Sequence, residues 1–274
     1  MIAFEAPTLA SEVIGNIGSF ELRNTMLMSW LAMGVLALFA FATRMTGYRM
    51  IPGRFQSFME MIVGGLDDFF NSVMHDQKQT RLVFPIVATI FLFIVTANWM
   101  GILPGVGTIT IEGMHEGHLT NIPLFRSMNA DVNMTLAVAI ISLVSVQVLG
   151  IAALGPLHYS GKFFVAPWKK PYIIGTVVGL LEFIGEISRL VSFTFRLFGN
   201  IFAGEVLLVV IGFLVPYLAP IPFMGLEIFV GFIQGLVFAM LTLVFLKMAM
   251  TSHDDDEEHG PSKQELSQRI LEAS

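Results

Sequence analysis

The sequence predicts an all-α integral membrane protein with about five membrane-crossing helices and one amphipathic helix at the interface. The last two crossings are expected to be long, steeply tilted and antiparallel. Three observations carry this prediction. Apolar residues make up 55% of the 274 and charged residues only 13%, against roughly 25% charged in a soluble domain. Apolar runs long enough to cross a hydrocarbon core of roughly 30 Å recur along the chain. Lys and Arg collect in alternate connections, as sidedness across a bilayer requires.

Met26 to Thr43 is the first apolar run and is close to the shortest that can cross. Arg44, Arg49 and Arg54 follow it, and Pro52 marks a helix start. Phe55, Phe58, Met59, Ile62, Val63, Leu66, Phe69, Phe70 and Val73 then recur in steps of three and four, with Glu60, Asp67 and Asp68 elsewhere. That is a helix lying in the interface or packed across other helices. Leu82 to Leu103 is the second crossing, closed by Pro104 and Gly105; residues 104–131, rich in Gly, Pro, Asn and charge, read as a polar loop. Val132 to Leu154 is the third. A basic connection through Lys162, Lys169 and Lys170 leads to the long apolar stretch 172–215, the prolines at 216, 220 and 222 force a turn, and Phe223 to Met250 closes the membrane region.

The connections 44–81 and 156–170 hold Arg44, Arg49, Arg54, Lys78, Arg81, Lys162, Lys169 and Lys170, whereas the other side has Arg23 and Arg126. Positive residues stay in the cytoplasm, which puts the N-terminus outside and the C-terminus inside. As one helix the 172–215 stretch extends about 66 Å, against a core of roughly 30 Å. Breaking it into two crossings would spoil the charge parity, so a tilted helix is expected. Three regions follow: an outer N-terminal segment 1–25, a membrane domain 26–250 and an acidic cytoplasmic tail 251–274, whose run from His253 to His259 contributes most of the net charge of −6. No basic and apolar leader occurs in the first 25 residues, so no signal peptide is expected and the mature chain should begin near Met1. The absence of cysteine removes disulfide and thiolate chemistry.

The 172–215 stretch carries Glu182, Glu186, Arg189, Arg196 and Glu205 among Gly, Leu, Ile, Val and Phe. A guanidinium cannot be neutralised by burial and costs about 2.5–3.5 kcal/mol at the centre of a membrane helix, so Arg196 requires an acidic partner. At 100° per residue Arg189, Ser192, Arg196 and Asn200 share a face, Glu182 lies near it, and Glu205 falls roughly opposite. On the next helix Glu227 and Gln234 share a face, and an antiparallel pairing would let Glu205 approach either. Such groups can be structural ion pairs and interhelical hydrogen bonds. Five ionisable side chains in one apolar stretch point instead to an ion path, in which carboxylates relay protons and an Arg gates or pairs with a mobile anion.

The string SFTFRLFGNIFAGE at 192–205 resembles subunit a of the rotary F-type ATP synthase, whose hallmark is an Arg-Leu-x-Gly-Asn core followed by a glutamate and a later glutamine. Here these are Arg196, Leu197, Gly199, Asn200, Glu205 and Gln234. Asn98 ahead of Leu103 and Pro104, and ADVN at 130–133, extend the similarity over about 80–250. The resemblance implies a non-catalytic stator subunit of a bacterial inner membrane, beside a ring of c-type proteolipid subunits and held by peripheral-stalk b-type subunits, with nucleotide sites on other subunits. It implies two aqueous half-channels separated by Arg196. Glu205, Glu227 and Gln234 would belong to the outer one with Asn98 nearby, Glu182 to the cytoplasmic one, and Asn200 with Ser192 to the Arg196 face. No cofactor, metal or nucleic acid is implied. Many relatives have one His and one Glu where this chain has Glu205 and Glu227, so the two are expected to titrate as a coupled pair. Some also carry an acid in place of Gly101.

Other motifs are weak. Gly155 to Lys162 has the wrong spacing for a phosphate loop, and Phe163 stands where Ser or Thr is needed. His115 and His118 lack a third ligand. The seventeen methionines suit adaptable packing, and Ser262 with Glu265 matches a capping box in the tail. The alternative class, a self-contained proton-coupled secondary transporter, predicts an internal repeat with matching broken helices, and none is found. An intramembrane enzyme needs a nucleophile with its base, or a metal motif, and neither occurs.

Overall fold

Five helices in the described part of the chain are long and apolar enough to cross a membrane. The structure, a computed structural model, describes residues 11–46, 52–103, 105–115, 118–155, 172–216 and 218–250. The acidic tail, the basic connection at 156–170 and the first ten residues lie outside it. Helices α1 (Asn24–Thr46), α2 (Arg54–Met74), α3 (Gln77–Gly101), α4 (Val132–Leu154), α5 (Tyr172–Leu214) and α6 (Pro220–Met250) dominate, and all except α2 are the candidate crossings. The chain is an all-α integral membrane protein of the predicted kind.

The helix ends follow from local chemistry. Asp76 opens α3 by accepting from the Lys78 amide at 2.8 Å, and Asp131 opens α4 by accepting from the Asn133 amide at 2.9 Å. These caps satisfy amides that have no partner within the helix. His75 ends α2 in the left-handed region (φ 60°), its N–H returning to the Asn71 carbonyl at 2.9 Å.

Two expectations are corrected. The 104–131 segment is not only a loop: β3 (Thr110–His115) pairs antiparallel with β4 (His118–Pro123), and a 3-10 turn spans Met128–Ala130. A second hairpin, β1 (Val13–Ile17) with β2 (Phe20–Arg23), precedes α1. The prolines at 220 and 222 do not lie in the turn but in the first turn of α6, where a missing N–H costs nothing because it has no helical acceptor. The α2 stripe is also divided. Leu66 and Phe70 are buried against α3 and α6, while Phe58, Val63 and Phe69 stay exposed.

Contacts fix α5 and α6 as antiparallel. Arg189 meets Phe245, Phe193 meets Phe238, Asn200 meets Gln234 and Gly204 meets Glu227, so residue numbers rise on one helix as they fall on the other. Helix α5 is 43 residues long without interruption, about 65 Å at the helical rise and twice the hydrocarbon core. Helices in lipid gain little from burying apolar surface against each other, so close approach at small residues does much of the packing. A Cβ added to Gly235 of α6 would lie 2.6 Å from Val95 Cγ2, and one added to Gly231 would lie 3.0 Å from Asn98 Cβ. Following the chain through these helices puts both hairpins, the 3-10 turn and the α5–α6 connection at one end of the bundle, hereafter the hairpin end.

Candidate functional site

At the hairpin end a cavity of about 190 Å³ is lined by Asn98 and Gly101 of α3, Arg126 and Ser127 of the connecting segment, Glu205 of α5 and Glu227 of α6. Arg126, which the charge bias places merely on the outer side, is the cavity-lining side chain that sequence reading missed. Its guanidinium grips Glu205 side-on, with Nε donating to Oε1 at 3.1 Å and Nη2 to Oε2 at 3.2 Å. The Arg126 side chain is 5% exposed and that of Glu205 26%. Periodicity gives no signal for this residue, because it lies outside any helix. A lone cation beside the ADVN segment is the one cue the sequence holds.

Glu227, 8% exposed, approaches α5 at Gly204, where the absence of a Cβ leaves room for its carboxyl group. Glu205 and Glu227 therefore line one cavity, as the antiparallel pairing anticipates. The coupled-pair expectation did not include a cation, and Arg126 stands on one of the two. Gln234 meets Asn200 rather than Glu205: Asn200 Nδ2 donates to Gln234 Oε1 at 2.6 Å. Asn98 donates to the Gly231 carbonyl at 2.9 Å and accepts from Asn129 Nδ2 at 2.6 Å. Gln234 Nε2, Asn129 Oδ1 and Ser127 Oγ are buried without a protein partner, as is common where polar groups bind internal water. Gly101 packs against Ser127, and a Cβ there would fall 2.7 Å from its Oγ.

The other end of α5 carries a second ionic cluster. Arg189 Nη1 donates to Glu186 Oε1 at 2.7 Å, its Nη2 lies 3.6 Å from Glu182 Oε1, and its guanidinium stacks 4.6 Å from the Phe245 ring centroid. Glu182 is thus brought together with Arg189 and Glu186, well away from the hairpin-end cavity. Arg196 lies between the two clusters. Its Nη2 donates to Ser192 Oγ at 3.0 Å, one turn back on a face where Ser192, Gly199 and Asn200 are exposed. Among the described residues no carboxylate pairs with it, so the acidic partner it requires is not supplied by them. Among the searched residues no group of His, Asp and Glu could hold a metal; the side chains of His115 and His118 lie outside the described set.

Fold and site together define a multi-pass membrane protein whose longest helix carries an ionic cluster toward each end and, between them, an arginine without a carboxylate partner among the described residues. The sequence model of the family described as ATP synthase A chain matches residues 26–247. The chain belongs to that family. It is similar to ATP synthase subunit a of Syntrophobacter fumaroxidans, 34% identical over 86% of this chain and 87% of the relative. It is also similar to ATP synthase subunit a 3 of Pelobacter propionicus, 35% identical over 80% and 84%, and to ATP synthase subunit a of Desulfotalea psychrophila, 35% identical over 82% and 83%.

Proposed function

We propose that the chain is the proton-conducting stator subunit of an F-type ATP synthase in a bacterial inner membrane. It has no catalytic site of its own, and nucleotide chemistry belongs to other subunits of the complex. Protons enter from outside through the hairpin-end cavity, past Asn98, Glu205, Glu227 and Gln234. They pass to carboxylates on a ring of c-type proteolipids, and leave toward the cytoplasm by way of Glu182. Arg196, flanked by Ser192 and Asn200, pairs with each deprotonated ring carboxylate and blocks a direct leak. The N-terminal segment faces outward, the acidic tail faces the cytoplasm, and peripheral-stalk b-type subunits hold the chain against rotation.

The single observation that carries this reading is Arg196. It is a permanent cation in mid-helix on an open face of α5, without a carboxylate partner among the described residues, and with carboxylates toward both helix ends. A buried or lipid-facing charge must be paired, and a partner arriving on another subunit meets that need. Arg196→Ala and Arg196→Lys are both expected to abolish ATP synthesis driven by an imposed proton gradient in vesicles, with normal amounts of assembled complex, since a lysine lacks the planar fork. Normal synthesis in the Arg196→Lys vesicles would exclude this role.

A further inference from the structure

We propose that Arg126 is a positioning residue of the hairpin-end cavity, holding the Glu205 carboxylate at a fixed place in the proton path. The inference rests on the reading of Glu205 as a path residue. A solvent-facing ion pair would be worth little and would place nothing. This pair differs, because the cation is nearly fully buried and bonds both carboxylate oxygens, a geometry that fixes orientation as well as distance.

Arg126 itself has a rigid mount. On one side Leu124 N–H donates to the Ile109 carbonyl at 2.8 Å, and Gly107 N–H donates to the Phe125 carbonyl at 3.1 Å. On the other, Ser127 sits directly on Gly101 and its carbonyl accepts from the Ala130 amide at 3.2 Å. The segment is therefore tied to the end of α3, and the guanidinium reaches from it to α5. Glu205 is the more exposed partner, so the buried cation on its tied segment sets the place of the carboxylate rather than the reverse. Glu227 takes its own place over Gly204. Two carboxylates in one cavity are thus held by two different devices, a cation for one and a missing side chain for the other.

The test uses the complete complex in native membranes and reads passive proton flux through the membrane sector together with the amount of this chain present. Glu205→Gln and Arg126→Gln are each expected to lower flux by about ten- to a hundredfold, the scale of a misplaced functional group. Arg126→Gln combined with Glu205→Gln should be no worse than Glu205→Gln alone, and Arg126→Lys should be intermediate because it keeps the charge without the fork. Losses that multiply in the double variant, or full flux in Arg126→Gln or Arg126→Lys alongside a defective Glu205→Gln, overturn the proposal. So does a fall in chain abundance that matches the fall in flux in both Arg126 variants, which marks a purely structural tie. Full flux in Glu205→Gln removes Glu205 from the path and overturns the underlying reading as well.

Discussion

Gly204 and Glu227 show how one missing methyl group can make room for a buried carboxyl group. The Glu227 carboxyl occupies the space where a Cβ at position 204 would be, and a carboxyl at the end of a flexible side chain yields before a backbone does. Gly204→Ala is therefore expected to push the carboxyl aside, leaving chain abundance unchanged while proton flux falls by about tenfold or more. A flux equal to that of the unaltered protein would show that the position of Glu227 is unimportant. Gly101→Ala has a different expectation. There the neighbour is the short Ser127 side chain, with its backbone close behind, so the strain reaches the segment that mounts Arg126. Destabilisation of about 1–3 kcal/mol, the usual range for an overpacked site, should appear as a lower unfolding temperature of the membrane sector.

At the scale of elements, α6 is the helix that organises the others. It packs on α3 through Gly231 and Gly235, on α5 through Gln234 and Glu227, on α4 through the Ser142–Thr242 hydroxyl pair at 2.7 Å, and on α2 through Lys247. Lys247 Nζ donates to the Val73 carbonyl at 2.8 Å, in the last turn of α2 where carbonyls lack helical partners and a cation is favoured. Lys247→Met should loosen α2 without disturbing the hairpin-end cavity, so protease or hydrogen-exchange protection should fall within Arg54–Met74 and stay unchanged in Asn98–Gly101. Equal protection in α2 would show that the bond contributes nothing. These elements differ in how well the sequence reveals them. The third crossing is legible to the residue because Asp131 and Gly155 bracket a mainly apolar run without charge or proline. The hairpin in 104–131 is not, since short strands among Gly and Thr lack the alternation that a buried face imposes. The prolines of α6 mislead for a related reason: the same residue serves a turn and a helical first turn.

For the whole molecule, the arrangement predicts two separate routes for water. Cysteines can be placed freely in a chain that has none. Cys at Thr108, in the exposed hairpin-end loop, should be labelled by impermeant reagents from outside only, and Cys at Lys78, exposed at the start of α3, from the cytoplasm only. Cys at Glu205 and at Glu182 should react with aqueous reagents from opposite sides. Access to both from one side would merge the two clusters into a single cavity and favour an alternating-access transporter. The candidate site was legible where it lies on helices: Arg196, Asn200, Gln234, Glu205 and Glu227 follow from helical phase and motif. Arg126 was hidden because its contact with Glu205 joins residues 79 apart through an irregular segment, and no periodicity connects such a pair.

The continuity of α5 has an electrical meaning. If water enters from each end, as the two ionic clusters suit, a membrane voltage falls mainly over the dry middle of the helix, where Phe193, Leu197 and Phe198, near Arg196 in the sequence, are buried. Each elementary charge carried through a full drop of 100 mV exchanges about 2.3 kcal/mol, and narrowing the dry zone steepens the field without changing that total. Arg196 then stands where the potential changes most per ångström, and the insulation that keeps the two sides apart is only a few helical turns thick.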